Sequence, residues 1–179
     1  MVKKNICKIC VIFICVILFG YNSFSQQNCV VDIYTAEIGI REATGNNDGK
    51  QVEEYLASCH LGKGNAWCAA FVNWTLQKCG YETVKSPAWS PSWFTPDYLI
   101  YKRNSDLKTT PDQADVFGIY FANKGRIAHV GFIDSWPEND NFCITVEGNT
   151  NEAGSREGDG VYKKRRLKSQ INSVSRFIK

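Results

Sequence analysis

The spacing of the apolar residues changes once along the chain, and this change restricts the fold more than any other feature of the sequence. Up to about residue 80 the apolar residues recur at helical spacing, whereas after about residue 104 short runs of Val, Ile, Phe and Tyr lie between turn residues. Helices followed by a series of strands are typical of the α+β class. We therefore predict helices packed on one face of an antiparallel sheet of about five strands.

The individual elements follow from the same spacing. Helices are predicted over residues 31–41, 50–59 and 67–79, and strands over residues 115–121, 127–134, 141–147, 160–166 and 173–178. Between them, residues 80–104 contain Pro87, Pro91 and Pro96 among aromatic residues. Since proline interrupts regular structure, this stretch is predicted to be a long surface loop.

The first 25 residues have the layout of a signal peptide. Three lysines precede an uncharged apolar run at residues 9–19, which is shorter than the roughly 18 to 20 residues that span a bilayer as a helix. Ser23 and Ser25 provide the small residues of a cleavage site. We expect residues 1–25 to be removed and residues 26–179 to form a single exported domain, periplasmic or extracellular, without a stable membrane anchor.

The charge of the predicted mature chain gives no indication of a nucleic-acid partner. The formal net charge of +3 includes three lysines of the signal segment, so the remainder lies near zero. The basic run at residues 163–166 is interpreted as a solvated strand face. We expect a monomer that binds neither nucleic acid nor an anionic membrane surface.

Five of the eight cysteines lie after residue 25, and an odd number predicts at least one free thiol. Antiparallel packing of the first two helices would bring Cys29 close to Cys59. Cys79 lies about 16 Å along its predicted helix from Cys68. Cys143 lies about 13 Å along its predicted strand from Glu147, a candidate partner of the same active site. Of the three pairings open to these four residues, we predict Cys29 with Cys59 and Cys79 with Cys143, which leaves Cys68 free.

Cys68 begins a predicted helix directly after a loop. The unpaired N–H groups and the dipole at a helix start favour a thiolate, and the same N–H groups can hold an oxyanion. A buried, inert cysteine is the alternative interpretation at this position.

Of the two histidines, His60 lies in a loop and is predicted to be exposed. His129 lies in a strand, where alternation places it on one face with Ile127 and Gly131. The next strand ends with Glu147 and Asn149, spaced to hold an imidazole in one tautomer.

At four places the sequence resembles the cysteine, histidine-dependent amidohydrolase/peptidase (CHAP) family of bacterial cell-wall hydrolases. The similar segments are residues 65–72 (NAWCAAFV), 115–117 (DVF), 128–131 (AHVG) and 146–149 (VEGN), and the resemblance covers essentially the whole predicted mature chain. It implies a papain-like fold that hydrolyses peptidoglycan amides. In that scheme Cys68 is the nucleophile, His129 the general base and then acid, Glu147 the residue that orients the imidazole, and Asn149 a polarising residue.

Several functional questions stay open at this level. Trp67, Trp89 and Trp93 are predicted to contact the substrate, because aromatic faces stack on sugars and apolar stems. The alternative interpretation is that the tryptophans of the loop, Trp89 and Trp93, pin it to the body. No metal or cofactor is expected, because the region around Asp48 lacks the carboxylates of a calcium site. The scissile bond, muramoyl amide or stem peptide, stays undecided. A secreted antibacterial effector and a catalytically idle wall-binding module are the alternative functions.

Overall fold

The computed structural model describes residues 27–107, 109–152 and 158–178, so the predicted signal peptide lies outside the described residues. Within these ranges the chain forms three α-helices and one antiparallel sheet, which confirms the α+β class. The helices are α1 (27–36), α2 (Lys50–Ala57) and α3 (Cys68–Lys78), and the strands are β1 (Leu99–Lys102), β2 (Val116–Phe121), β3 (Arg126–Ser135), β4 (Phe142–Thr150), β5 (Gly160–Leu167) and β6 (Ile171–Ser175).

The sheet has the strand order β1-β6-β2-β3-β4-β5, and it is strongly curled. Strands β5 and β6 are four positions apart, which in a flat sheet would separate them by about 19 Å. Only the short turn Lys168–Gln170 joins Leu167 to Ile171, and four steps of the backbone reach at most about 15 Å. The sheet therefore bends towards one of its faces. We call this face, on which Phe117 and Ile171 lie, the curled face.

The two faces of the sheet enclose separate apolar clusters. On the helix-side face, α2 and α3 pack against β2, β3, β4 and β5 in a large core that contains the following buried residues: Tyr55, Leu56, Trp67, Phe71, Leu76, Val116, Val130, Phe132, Val146 and Val161. The curled face holds a smaller cluster of Phe117, Ile133, Cys143, Ile171 and Val174. Adjacent residues such as Phe132 and Ile133 point to opposite clusters, as strand alternation requires.

Five strands and two helices agree with the sequence-based predictions, and each predicted strand end lies within about three residues of the observed one. The first helix ends at residue 36 rather than at Arg41, which instead forms an isolated bridge with Gly160. The prediction of a long surface loop over residues 80–104 is wrong in part. This stretch contains β1, which pairs with β6, and a 3-10 turn, Ser90–Trp93, whose Trp93 is fully buried.

The predicted disulfides are both wrong, because the structure joins Cys29 to Cys79 with a Cα–Cα distance of 5.9 Å. The bond places the start of α1 beside the C-terminal end of α3, a contact that antiparallel packing of the first two helices does not predict. Cys59, Cys68 and Cys143 are free and buried. No helix of the described residues is both long and apolar enough to cross a membrane.

Candidate active site

Cys68 is the first residue of α3, and α3 packs across β3 and β4. The ladder between these strands includes Ser135 with Ile144 and Phe132 with Val146, and no further pair joins them beyond Val146 within the described residues. The strands therefore part where α3 begins. Cys68 lies at this opening, where the backbone N–H of Val130 interacts with its thiol.

The packing of Gly148 shows how closely the helix approaches the sheet. A Cβ atom at Gly148 would lie 2.6 Å from the Trp67 ring and 2.9 Å from Phe71 Cβ, so only glycine allows α3 to sit this low on β4. This contact sets the height of the Cys68 sulfur above the sheet. The N–H groups of Cys68 and Ala69 open the helix and have no acceptor within it.

His129 and Glu147 form the strand half of the site. The His129 Nε2 atom lies 2.8 Å from Glu147 Oε2, and both side chains are buried, with 1% and 0% of their surface exposed. The other ring nitrogen, Nδ1, has no hydrogen-bond partner of good geometry. Because the Cys68 thiol interacts with this imidazole, we place His129 between the sulfur and the carboxylate. The three predicted residues are thus brought together.

A β-bulge accompanies this arrangement. Ile119 pairs with His129 and Tyr120 pairs with Ile127, so Ala128 is left unpaired in the ladder between β2 and β3. The expectation that Ile127 shares a face with His129 is therefore wrong, and Ile127 packs against the helix-side core instead. Bulges of this kind re-aim side chains next to active sites.

Arg166 is a residue of the site that the sequence interpretation missed. The basic run 163–166 was interpreted as solvated, but only 7% of Arg166 is exposed. Its Nε and Nη2 atoms donate to the two carboxylate oxygens of Glu147, and the Thr145 hydroxyl donates to Oε1 at 2.5 Å. Alternation along β5 separates Arg166 from its exposed neighbour Arg165. This was the available signal, since one residue in two of the run had to face the sheet interior.

These contacts fix the charge of the carboxylate and the imidazole. Burial alone would raise the pKa of Glu147, but Arg166 and His129 outweigh it and lower this pKa to about 2. Burial alone would lower the pKa of His129, but Cys68 and Glu147 raise it to about 9. At neutral pH the pair is therefore an imidazolium facing a carboxylate.

The Cys68 thiol is shifted in the opposite direction. Burial, the largest single effect, raises its pKa, but the hydrogen bond and charge of His129 outweigh burial, with smaller contributions from the Val130 N–H and the Ser90 hydroxyl. The net result is a pKa below the ordinary value. The Ser90 Oγ atom lies 4.0 Å from Cys68 Sγ. By contrast, burial raises the pKa of Cys59 and, to about 11, that of Cys143. Cys68 is the free cysteine suited to act as a thiolate.

Asn149 does not contact the imidazole, although the sequence suggested that it polarises the site. Its backbone has φ 53°, a left-handed conformation that ends the alternation of β4. In the amide orientation that satisfies both groups, its oxygen accepts the Trp67 N–H at 2.9 Å and its nitrogen donates to Gly158 O at 3.0 Å. Asn149 therefore holds the residue that precedes Cys68.

Two of the three tryptophans predicted to bind substrate belong to the core. Trp67 and Trp93 are fully buried and donate their indole N–H to Glu42 and to Pro87 O. Neither ring offers a face to a ligand, so the substrate-binding prediction is wrong for both. Trp89 is 49% exposed, precedes Ser90, and carries the Arg126 guanidinium over its ring at 4.0 Å.

The described residues contain no group of three or more His, Cys, Asp or Glu side chains arranged to hold a metal ion. The Asp48 carboxylate, the one acidic group of the region compared with calcium loops, accepts hydrogen bonds from the N–H and hydroxyl of Thr44.

Comparisons of this chain with protein-family models, with curated proteins and with solved structures found no match.

Proposed function

We propose that this protein is an exported cysteine hydrolase that cleaves an amide bond of peptidoglycan, with a papain-like arrangement of Cys68 and His129. The observation that carries the proposal is the buried series of Cys68, His129, Glu147 and Arg166, which the fold assembles from a helix start and three strands. An activated thiol, a base in contact with it and a group that orients the base are the requirements of nucleophilic amide hydrolysis.

In the proposed reaction the Cys68 thiolate attacks the amide carbonyl carbon and forms a C–S bond. The N–H groups at the start of α3 stabilise the oxyanion. As the C–N bond breaks, the His129 imidazolium gives its proton to the leaving amine, which departs from a thioester. His129 then takes a proton from water, which attacks the thioester, releases the carboxylic acid product and restores the thiolate and the imidazolium.

Two further observations support the chemistry and the compartment. Glu147 keeps its negative charge beside His129 because Arg166 binds both of its oxygens, so the carboxylate can stabilise the imidazolium throughout the cycle. The Cys29–Cys79 disulfide is typical of an oxidising compartment outside the cytosol. Peptidoglycan as the substrate rests on the resemblance of the four motifs to the CHAP family.

The test is digestion of purified sacculi followed by mass spectrometry of the released fragments. The purified protein should release fragments with a new amine terminus, and the identity of that terminus distinguishes a muramoyl amidase from a stem endopeptidase. Cys68→Ala should release none. Cys59→Ala is the matched control, since Cys59 is also free and buried but has a raised pKa, and it should retain wild-type activity.

Turnover by folded Cys68→Ala within a few-fold of the wild type would refute the cysteine mechanism. A catalytically idle wall-binding module would bind sacculi equally well before and after iodoacetamide treatment and release nothing in either case. An antibacterial effector would release the same fragments, but preferentially from the walls of other species.

A further inference from the structure

A cavity of about 350 Å³ opens on the curled face of the sheet and reaches two residues of the candidate site. His129 and Arg166 form its inner wall. Arg103, directly after β1, and Ser169 and Gln170, in the turn before β6, form its rim. The remaining wall comes from β2 and its end. None of the residues that line the cavity is acidic.

The charges around this cavity do not cancel. The Cys68 thiolate balances the His129 imidazolium, and the Glu147 carboxylate balances Arg166. Arg103 is left over, because the ion pairs among the described residues do not include it and its side chain donates a hydrogen bond to the neutral carbonyl of Ser169. Within the described part of the chain, the cavity therefore presents one uncompensated positive charge, on Arg103 at its rim, and the reacting imidazole lies in its wall.

The donors in the cavity exceed the acceptors that the protein supplies. A guanidinium has five N–H donors, and Arg166 uses Nε and Nη2 on Glu147 while Arg103 uses Nη1 on Ser169. The Gln170 amide and the Ser169 hydroxyl add polar groups at the rim. The Arg103 guanidinium, which is exposed at the rim and has no protein carboxylate bound to it among the described residues, matches the geometry of a planar carboxylate from a ligand.

We propose that this cavity is a subsite that binds a free carboxylate of the substrate close to the scissile amide, with Arg103 as its principal cation. The inference rests on the proposed function and narrows its substrate class to muropeptides whose stem retains a free carboxylate near the cleaved bond. The volume is large enough for one amino-acid residue. Arg103 is a specificity-determining residue, and it takes no part in proton transfer.

The first test compares soluble muropeptides with the same muropeptides after carbodiimide amidation, which converts their carboxylates to neutral amides. For the wild type, kcat/KM should be about tenfold higher on the unmodified substrate, as expected for one charged hydrogen-bonded contact worth roughly 1.4 kcal/mol. Arg103→Gln should lower kcat/KM on the unmodified substrate about tenfold, through a higher KM. It should leave kcat/KM on the amidated substrate unchanged.

Arg165→Gln is the matched control. Arg165 is adjacent to Arg166 on β5, points to the opposite face of the sheet, and has a side chain that is 58% exposed. It should keep the wild-type preference. Equal rates of the wild type on the two substrates, or an equal loss on both in Arg103→Gln, would overturn the subsite.

A second test does not depend on hydrolysis. In the Cys68→Ala protein, N-acetylglutamate should shift the NMR signals of the His129 ring, and N-acetylglutamine methyl ester, which has no carboxylate, should not. Arg103→Gln should abolish the shift. If the wall is not cleaved but the shift occurs, the proposed function fails and the carboxylate subsite stands. If the wall is cleaved and no carboxylate-dependent shift or preference is seen, the subsite fails and the hydrolase stands.

Discussion

The two faces of the sheet are built from the same strands but have opposite contents. On β4, Val146 and Gly148 face the helices, where contacts are apolar and close, whereas Thr145 and Glu147 face the curled side, where they join His129 and Arg166. The helix-side face buries large side chains and supplies stability. The curled face buries charges, which cost free energy unless fully paired, and such groups are retained where chemistry needs them.

This comparison predicts different consequences for substitutions on the two faces. Substitutions on the curled face that keep its charges paired should act mainly on the rate of hydrolysis, and changes to the helical layer other than at Cys68 should act mainly on the free energy of unfolding. A residue that altered both quantities equally would break the distinction.

The largest effect is expected for His129→Gln. A glutamine amide can still donate to Glu147, so folding should be retained, but it cannot transfer a proton. Wall hydrolysis should fall about 10⁴-fold, equivalent to about 5.5 kcal/mol. Adding Cys68→Ala should cause no further loss, because the two residues act as one unit. Additive losses in the double variant, measured as initial rates on labelled sacculi, would contradict a shared step.

The next largest effect should come from removing the disulfide, which lies in the helical layer. The bond closes a loop with a sequence separation of 50. For a loop of this length the chain-entropy model gives about 4 kcal/mol. The Cys29→Ala/Cys79→Ala protein should lose that amount in denaturant unfolding and keep the wild-type rate per folded molecule at temperatures where it remains folded. Unchanged stability would show that the helices are held by packing alone.

A smaller effect of the same kind is expected for Leu76→Ala in α3. Leu76 is fully buried in the helix-side core and lies two turns away from Cys68. Truncation should cost about 3 kcal/mol in urea unfolding, from lost burial and the cavity left behind. Gln77→Ala, an exposed neighbour, should cost less than about 0.5 kcal/mol. A loss of activity in folded Leu76→Ala protein beyond about threefold would argue against the separation of the two faces.

The sequence identified the elements of the fold because most of them have a clear apolar period. Strand β1 was missed because its four residues lie among prolines and are nearly all half-buried, so no alternation is visible. The order of the strands and the curl of the sheet depend on contacts between distant segments. No local pattern records them.

The same limit explains which site residues were predicted. Cys68, His129 and Glu147 have local signals: a helix start, a strand histidine and an acid at a strand end. The buried role of Arg166 depends on the curl, which decides which half of its basic run faces inward. The pairing of Cys29 with Cys79 depends on how α1 meets α3, and Asn149 leaves the expected face because its backbone turns left-handed.

The smallest expected effect, Glu147→Gln, gives the sharpest test of the curled face because it changes the pH dependence. In the wild type, kcat/KM should follow a bell-shaped profile. Its acidic limb reflects protonation of the Cys68 thiolate, and its alkaline limb, near pH 9, reflects loss of the His129 proton. The Glu147 carboxylate is one cause of the raised pKa of His129, so its removal should move the alkaline limb to lower pH. The rate at the optimum should fall about tenfold, or about 1.4 kcal/mol, because a glutamine oxygen can still accept the imidazole N–H.

Stability should also change with pH in a defined direction. The wild-type Glu147 carboxylate has its pKa lowered to about 2. It therefore stabilises the fold fully at pH values above the ordinary pKa of a glutamate, and this contribution is lost as the pH falls towards 2. Glu147→Gln should lack that acid-dependent loss. An alkaline limb that stays near pH 9 in Glu147→Gln would show that the carboxylate does not set the charge of His129.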